Sequence, residues 1–144
     1  MADEFSCFTA AAVQAAPVYL DREATIDKAC RLVEFAFNLT TLSFPAGDVT
    51  FQASNDGEQP HEMIVAKMPE DVTLEEALQA EDVEALGVED IAFFAPINPG
   101  AEATWTVTDL EPGRYAYVCF IPDEDDPEGT PHALKGMAGE FTVE

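Results

Sequence analysis

The chain has 144 residues, 47% of them apolar, and carries 29 acidic against 6 basic residues for a net charge of −23. That length suits one domain with room for an appendage, and no stretch approaches the ~20 apolar residues of a membrane-spanning helix. A surface this acidic repels nucleic acid and anionic membranes and attracts a basic partner; its plainer reading is a heavily solvated acidic shell.

The charge is unevenly spread. Residues 1–32 hold 5 acidic and 3 basic residues, whereas 33–144 hold 24 and 3, and this step places a boundary near residue 33. Asp3 and Glu4 stand where an export signal would carry basic residues, so no export signal is expected here. Phe8 to Leu20 is apolar and reads as a strand interrupted by Pro17. Asp21 suits a helix N-cap, and Arg22 to Val33 follows with Ile26, Ala29, Cys30 and Val33 at helical spacing.

Beyond the boundary the period changes from helical to two. Glu34 to Asn38 alternates as a half-buried strand does, and Leu42-Ser43-Phe44 leads into a turn at Pro45 to Asp48. Val49 to Ala53 reads as a strand, Asn55-Asp56-Gly57 as a turn, and His61 to Lys67 as the next strand, with His61 at its start. Thr73 and Glu76 form a capping-box pattern that predicts a helix over Leu74–Gln79. A second turn is expected over Asp82–Leu86, closed by Gly87. Strand texture returns at Ile91–Ala95, Ala103–Thr108 and Arg114–Ile121, the last placing Tyr115, Tyr117 and Cys119 on one face. Pro122 to Pro131 is an acidic loop, and Gly139 to Val143 closes the chain as a strand. Seven or eight short strands with one helical excursion predict an all-β, Greek-key β-sandwich with a short helical insertion and an N-terminal strand–helix appendage.

The chain's only two histidines are His61 and His132, and Cys119 and Met137 bracket the second. Two imidazoles, a thiolate and a weak thioether are the donor set of a type 1 copper centre. A cysteine at a strand end is held rigidly while the following loop folds back. His132 and Met137, with four residues between them in that loop, can then face one point, and His61 arrives from a neighbouring strand. Taken singly, each residue has a plainer reading: Cys119 as a small buried hydrophobe, His61 as a surface residue beside a turn, Met137 as a core filler. Zinc is an alternative, with Glu62 as its fourth ligand. No open coordination position and no general base are evident, so substrate turnover is not expected. Asn55, shortly before His61, is expected to brace the ligand loops. Three cysteines make no disulfide framework; if Cys119 binds metal, Cys7–Cys30 is the pairing left.

Three stretches carry a family likeness: Phe44-Pro45-Ala46-Gly47-Asp48-Val49-Thr50-Phe51; Asn55-Asp56-Gly57 with Pro60-His61-Glu62; and Gly113-Arg114-Tyr115 through Cys119-Phe120, Gly129-Thr130-Pro131-His132 and Gly136-Met137. Over about residues 33–144 the sequence resembles the cupredoxins, the plastocyanin-like blue copper domains. The resemblance implies a Greek-key sandwich and copper held by His61, Cys119, His132 and Met137. It also implies one-electron transfer to a redox partner protein and a periplasmic or extracellular location. Alternatives are a copper-delivery module and a metal-free interaction domain. The chain departs from the small electron carriers of that family in one respect. Twelve residues separate Cys119 from His132, so Asp123 to Glu128 form an acidic insertion beside the site, able to bulge outward.

Residues 8–32 resemble something else. Ala10 to Asp21 and Ala24 to Ala29 look like the opening strand and helix of a nitrilase. Where that family has a catalytic Glu after Phe-Pro, this chain has Ala46, and neither its cysteine nor its lysine motif follows. Residues 1–32 are therefore expected to be a non-catalytic fragment.

Overall fold

The computed structural model describes Phe37 and residues 42–144. The nitrilase-like segment, the strand and helix expected within 8–33, Cys7 and Cys30 lie outside the described residues, as does the expected 34–38 strand apart from Phe37.

Seven strands are described: β1 (Ser43–Phe44), β2 (Gly47–Ser54), β3 (His61–Met68), β4 (Glu89–Ile97), β5 (Glu102–Leu110), β6 (Gly113–Val118) and β7 (Ala138–Val143). One helix, α1 (Leu74–Gln79), and two 3-10 turns, Glu84–Leu86 and His132–Lys135, complete the described elements. The strands form a five-stranded sheet in the order β1-β7-β6-β3-β4 and a two-stranded sheet of β2 and β5. Only β1 and β7 pair in parallel. From β4 the chain crosses to the small sheet as β5 and returns as β6, between β3 and β7. This is a Greek-key-type crossover in a β-sandwich, as the strand spacing predicts.

Period-two patterning explains which face is buried. In β2, Val49 and Phe51 point inward while Thr50 and Gln52 face solvent. In β5, Trp105, Val107 and Leu110 do the same against exposed threonines, and the outer Thr50 and Thr106 hydroxyls pair across the ribbon at 2.9 Å. Met63 and Val65 from β3, Tyr115 and Tyr117 from β6, and Phe141 and Val143 from β7 complete one core between the sheets. Phe141 is its hub, with Phe44 and Phe51 edge-on and Tyr115 and Tyr117 stacked. Phe94 stacks on Trp105 at 5.0 Å and ties β4 to the small sheet.

The central strands are buried on both faces, which alternation alone does not predict. The chain between β3 and β4 folds over the outer face of the large sheet, where Ala66, Met68, Val88 and Ala116 pack against Val72, Leu74 and Ala77. The capping box forms as expected: Glu76 N–H donates to the Thr73 hydroxyl, and the Glu76 carboxylate accepts from Thr73 N–H. Gly87 takes the left-handed conformation expected of a C-cap, at φ 82°. The three basic residues of the domain are all ion-paired: Lys67 with Glu111, Arg114 with Glu140, and Lys135 with both Asp123 and Asp126.

Gly139 faces Tyr117 in the β6–β7 ladder, and the Tyr117 ring occupies the space a side chain there would take. Gly139→Ala is expected to push that ring off Phe141 and Phe37 and to cost about 1–3 kcal/mol. A urea-unfolding comparison with wild type checks it; an unchanged midpoint is the contrary result.

Candidate metal centre

Register decides what meets at one end of the sandwich. β3 and β6 run antiparallel with Ile64 opposite Val118, so the start of β3 lies beside the end of β6. His61 opens β3, and Cys119 is the first residue beyond β6. The β6 strand ends at Val118, short of the expected Ile121, because the Cys119 backbone turns to serve the returning loop. Cys119 N–H donates to the Met137 carbonyl, and Ala133 N–H donates to the Cys119 carbonyl at 2.7 Å. His132 N–H donates to Ile121 O, and Met137 N–H to His132 O. These bonds fold His132–Lys135 into a 3-10 turn that ends at Gly136, φ 116°, and bring Cys119, His132 and Met137 together.

The ligand atoms of His61, Cys119 and His132 lie within 4.8 Å of one another, and all three residues are buried. Their Nδ1 atoms are 3.1 Å apart in the two histidines, and the Cys119 Sγ is 3.5 Å from His132 Nδ1. His132 and Cys119 are fully buried. Met137 is buried beside Cys119, with Phe37 and Ile121 packed around the pair. Burial pushes the Cys119 thiol up from its ordinary value. Glu62 stands apart from the cluster: its carboxylate accepts from Phe120 N–H at 3.3 Å. Asn55 is buried and braces the approach to His61, donating to the carbonyls of Gln59 and Ile97 while its oxygen accepts from Gly57 N–H.

Three polar residues around the cluster are not among the expected site residues. Gln59 is buried, with its Oε1 3.2 Å from His132 Nε2 and its Nε2 donating to Asp123 at 2.7 Å. Asp123, also buried, accepts in addition from Lys135 at 2.5 Å and from Asp125 N–H. Lys135 reaches Asp126 as well, at 2.8 Å. The acidic insertion therefore does not bulge outward. Pro122 bridges to Pro131, Asp123 N–H donates to Thr130 O, and the loop folds down over His132. A signal existed for Lys135, one of only three cations in the domain; Gln59 and Asp123 had none.

Burial would raise the Asp123 carboxyl, but the hydrogen bonds from Gln59, Lys135 and Asp125 outweigh it and hold the group at about 2. Lys135 hydrogen-bonds push Asp126 lower still, and both carboxylates push Lys135 up.

Fold and cluster together define a cupredoxin-like domain, the class that the sequence resemblance implies. Solved structures of similar fold are auracyanins. Auracyanin from the photosynthetic bacterium Roseiflexus castenholzii is 27% identical, with TM-score 0.52, over 77% of this chain and 89% of its own. Auracyanin A of the green thermophilic photosynthetic bacterium Chloroflexus aurantiacus, a "blue" copper protein, is 23% identical over 77% and 90%, with TM-score 0.52. Auracyanin B is 24% identical over 76% and 81%, with TM-score 0.50. No protein-family model and no curated protein matches the sequence.

The Asp123 carboxyl lies below its ordinary 3.8 in the folded protein, so its stabilisation is full above that value and is lost as pH falls through about 2. Urea midpoints followed downward from pH ~5 should fall through this window, and less steeply in Asp123→Asn. At neutral pH the variant should be about 2 kcal/mol less stable, since Lys135 and Gln59 lose a charged partner.

Proposed function

We propose that this domain is a type 1 copper protein, a one-electron carrier rather than an enzyme. The observation that carries the reading is the buried His61–Cys119–His132 cluster, with its ligand atoms within 4.8 Å of one another and the Met137 side chain buried beside it. Two imidazoles, a thiolate and a thioether suit copper by chemistry, and such softness disfavours zinc, which takes a fourth strong ligand. Glu62, the residue able to supply one, is hydrogen-bonded to Phe120 instead.

In this reading His61 and His132 would supply imidazole nitrogens, Cys119 the thiolate and Met137 a weak thioether sulfur. Bound copper supplies the Cu(I)/Cu(II) couple. The chain's own contribution is rigidity and dryness. Backbone hydrogen bonds lock Cys119, Ala133 and Met137 together, so the donors have little room to rearrange when charge changes. Burial keeps the Cys119 thiol protonated without metal, so loading displaces a proton from sulfur. The redox partner in this reading is a protein bearing basic charge, matched to the net −23 of the chain. No helix among the described residues is long and apolar enough to cross a membrane, and we assign the domain to the periplasmic or extracellular side.

Adding Cu(II) to the purified protein and recording its visible spectrum tests the reading. An intense thiolate-to-copper band, abolished in Cys119→Ala, is the expected outcome. Met137→Leu should keep the band and shift the reduction potential, because a weak thioether would tune the couple rather than hold the ion. Tight binding with only a weak band would favour copper delivery, and absence of binding would exclude copper.

A further inference from the structure

The Gln59 side chain sits between a buried carboxylate and a buried imidazole, and that placement fixes its orientation. Asp123 is ionised and can only accept hydrogen bonds. The Gln59 NH2 must therefore face Asp123, where it donates at 2.7 Å. Its Oε1 then faces the other way. There it accepts from Glu124 N–H at 3.0 Å and lies 3.2 Å from His132 Nε2. An oxygen cannot donate, so the shared proton at that contact belongs to His132 Nε2. A neutral imidazole carries one ring proton, which leaves His132 Nδ1 with its lone pair. Nδ1 is the atom that faces His61 Nδ1 at 3.1 Å and Cys119 Sγ at 3.5 Å.

We propose that Gln59 is a positioning residue: oriented by the buried Asp123, its amide holds His132 as the Nε2–H tautomer and so presents Nδ1 to Cys119 and His61. Asp123 is itself held by Lys135, which lies three residues past His132 on the same 3-10 turn. The loop thus returns to lock the ring it carries. The chain of contacts runs from His132 through Gln59, Asp123 and Lys135 to the His132 turn. A closed ring of this kind resists rotation of the imidazole better than any one of its bonds.

The proposal rests on the metal reading for its purpose but not for its test. In metal-free protein, 15N NMR of the histidine rings, at a pH above the ordinary imidazole range of ~6.5, reports which nitrogen of His132 is protonated. Wild type should show one form, with Nε2 protonated and Nδ1 bare. Gln59→Leu removes the acceptor, and the two nitrogen shifts should move toward each other as both tautomers populate. The double variant Gln59→Glu with Asp123→Asn exchanges donor and acceptor across the same contact. Asn at 123 then donates to Glu at 59, whose carboxylate still accepts from His132, and the wild-type tautomer should return. Copper affinity should fall about 10–100-fold in Gln59→Leu and recover in the double variant. An Nδ1–H tautomer in wild type overturns the proposal even if Gln59→Leu does not fold, and so does an unshifted His132 in a folded Gln59→Leu. Wild type that shows the Nε2–H form yet binds no copper would reject the metal reading while leaving Gln59 in its positioning role.

Discussion

The antiparallel pairing of β3 with β6 is the constraint on which the His61–Cys119–His132 end of this domain depends. Both strands lie inside the large sheet, each with a neighbour on its other edge. Their register cannot slip by one residue without turning Val65 and Tyr115 out of the core. A fixed register fixes where β3 begins and where β6 ends, so His61 and Cys119 meet without needing any contact of their own. The helical excursion between β3 and β4 supports the arrangement from outside, covering Ala66 and Ala116. A sheet buried on both faces is less free to flex, and the site inherits that stiffness.

What the strands do for His61 and Cys119, the loop must do for His132. An insertion between a cysteine and a histidine ordinarily weakens their geometric coupling, because loop entropy grows with length. Here the added residues supply their own restraints. Asp123 returns inward to Gln59 and Lys135, and the Pro122–Pro131 bridge closes the excursion at its base. The net effect is a long connection that behaves as a short one and leaves His132 without solvent exposure. On the copper reading, His132 offers no exposed edge for outer-sphere transfer, and electrons would pass through the surrounding protein.

Much of this was legible in the sequence, for definite reasons. The Thr73–Glu76 box, the period-two runs of β2 and β5, and the Asn55–Gly57 turn are local signals, set by residues within a few positions of one another. The scarcity of histidine drew attention to His61 and His132, and the cupredoxin resemblance supplied their companions. The missing parts are non-local. Asp123 lies in an acidic run that reads as solvated surface, and its burial depends on Lys135 twelve residues later and on Gln59 from another segment. The 3-10 turn at His132–Lys135 is too short to leave a periodic trace, and it exists because Cys119 and Ile121 accept its backbone hydrogen bonds. Strand β6 was expected to reach Ile121 and stops at Val118 for the same reason.

The internal use of Lys67, Arg114 and Lys135 reaches beyond stability. With every cation of residues 33–144 committed to a carboxylate of the same molecule, most of the described acidic residues stand exposed and outnumber the cations. Two copies approaching in dilute buffer repel over about a Debye length, ~10 Å at moderate ionic strength. On the copper reading, electron self-exchange between copies is therefore slow. In a half-reduced population each electron then stays on the molecule that holds it, instead of passing from copy to copy.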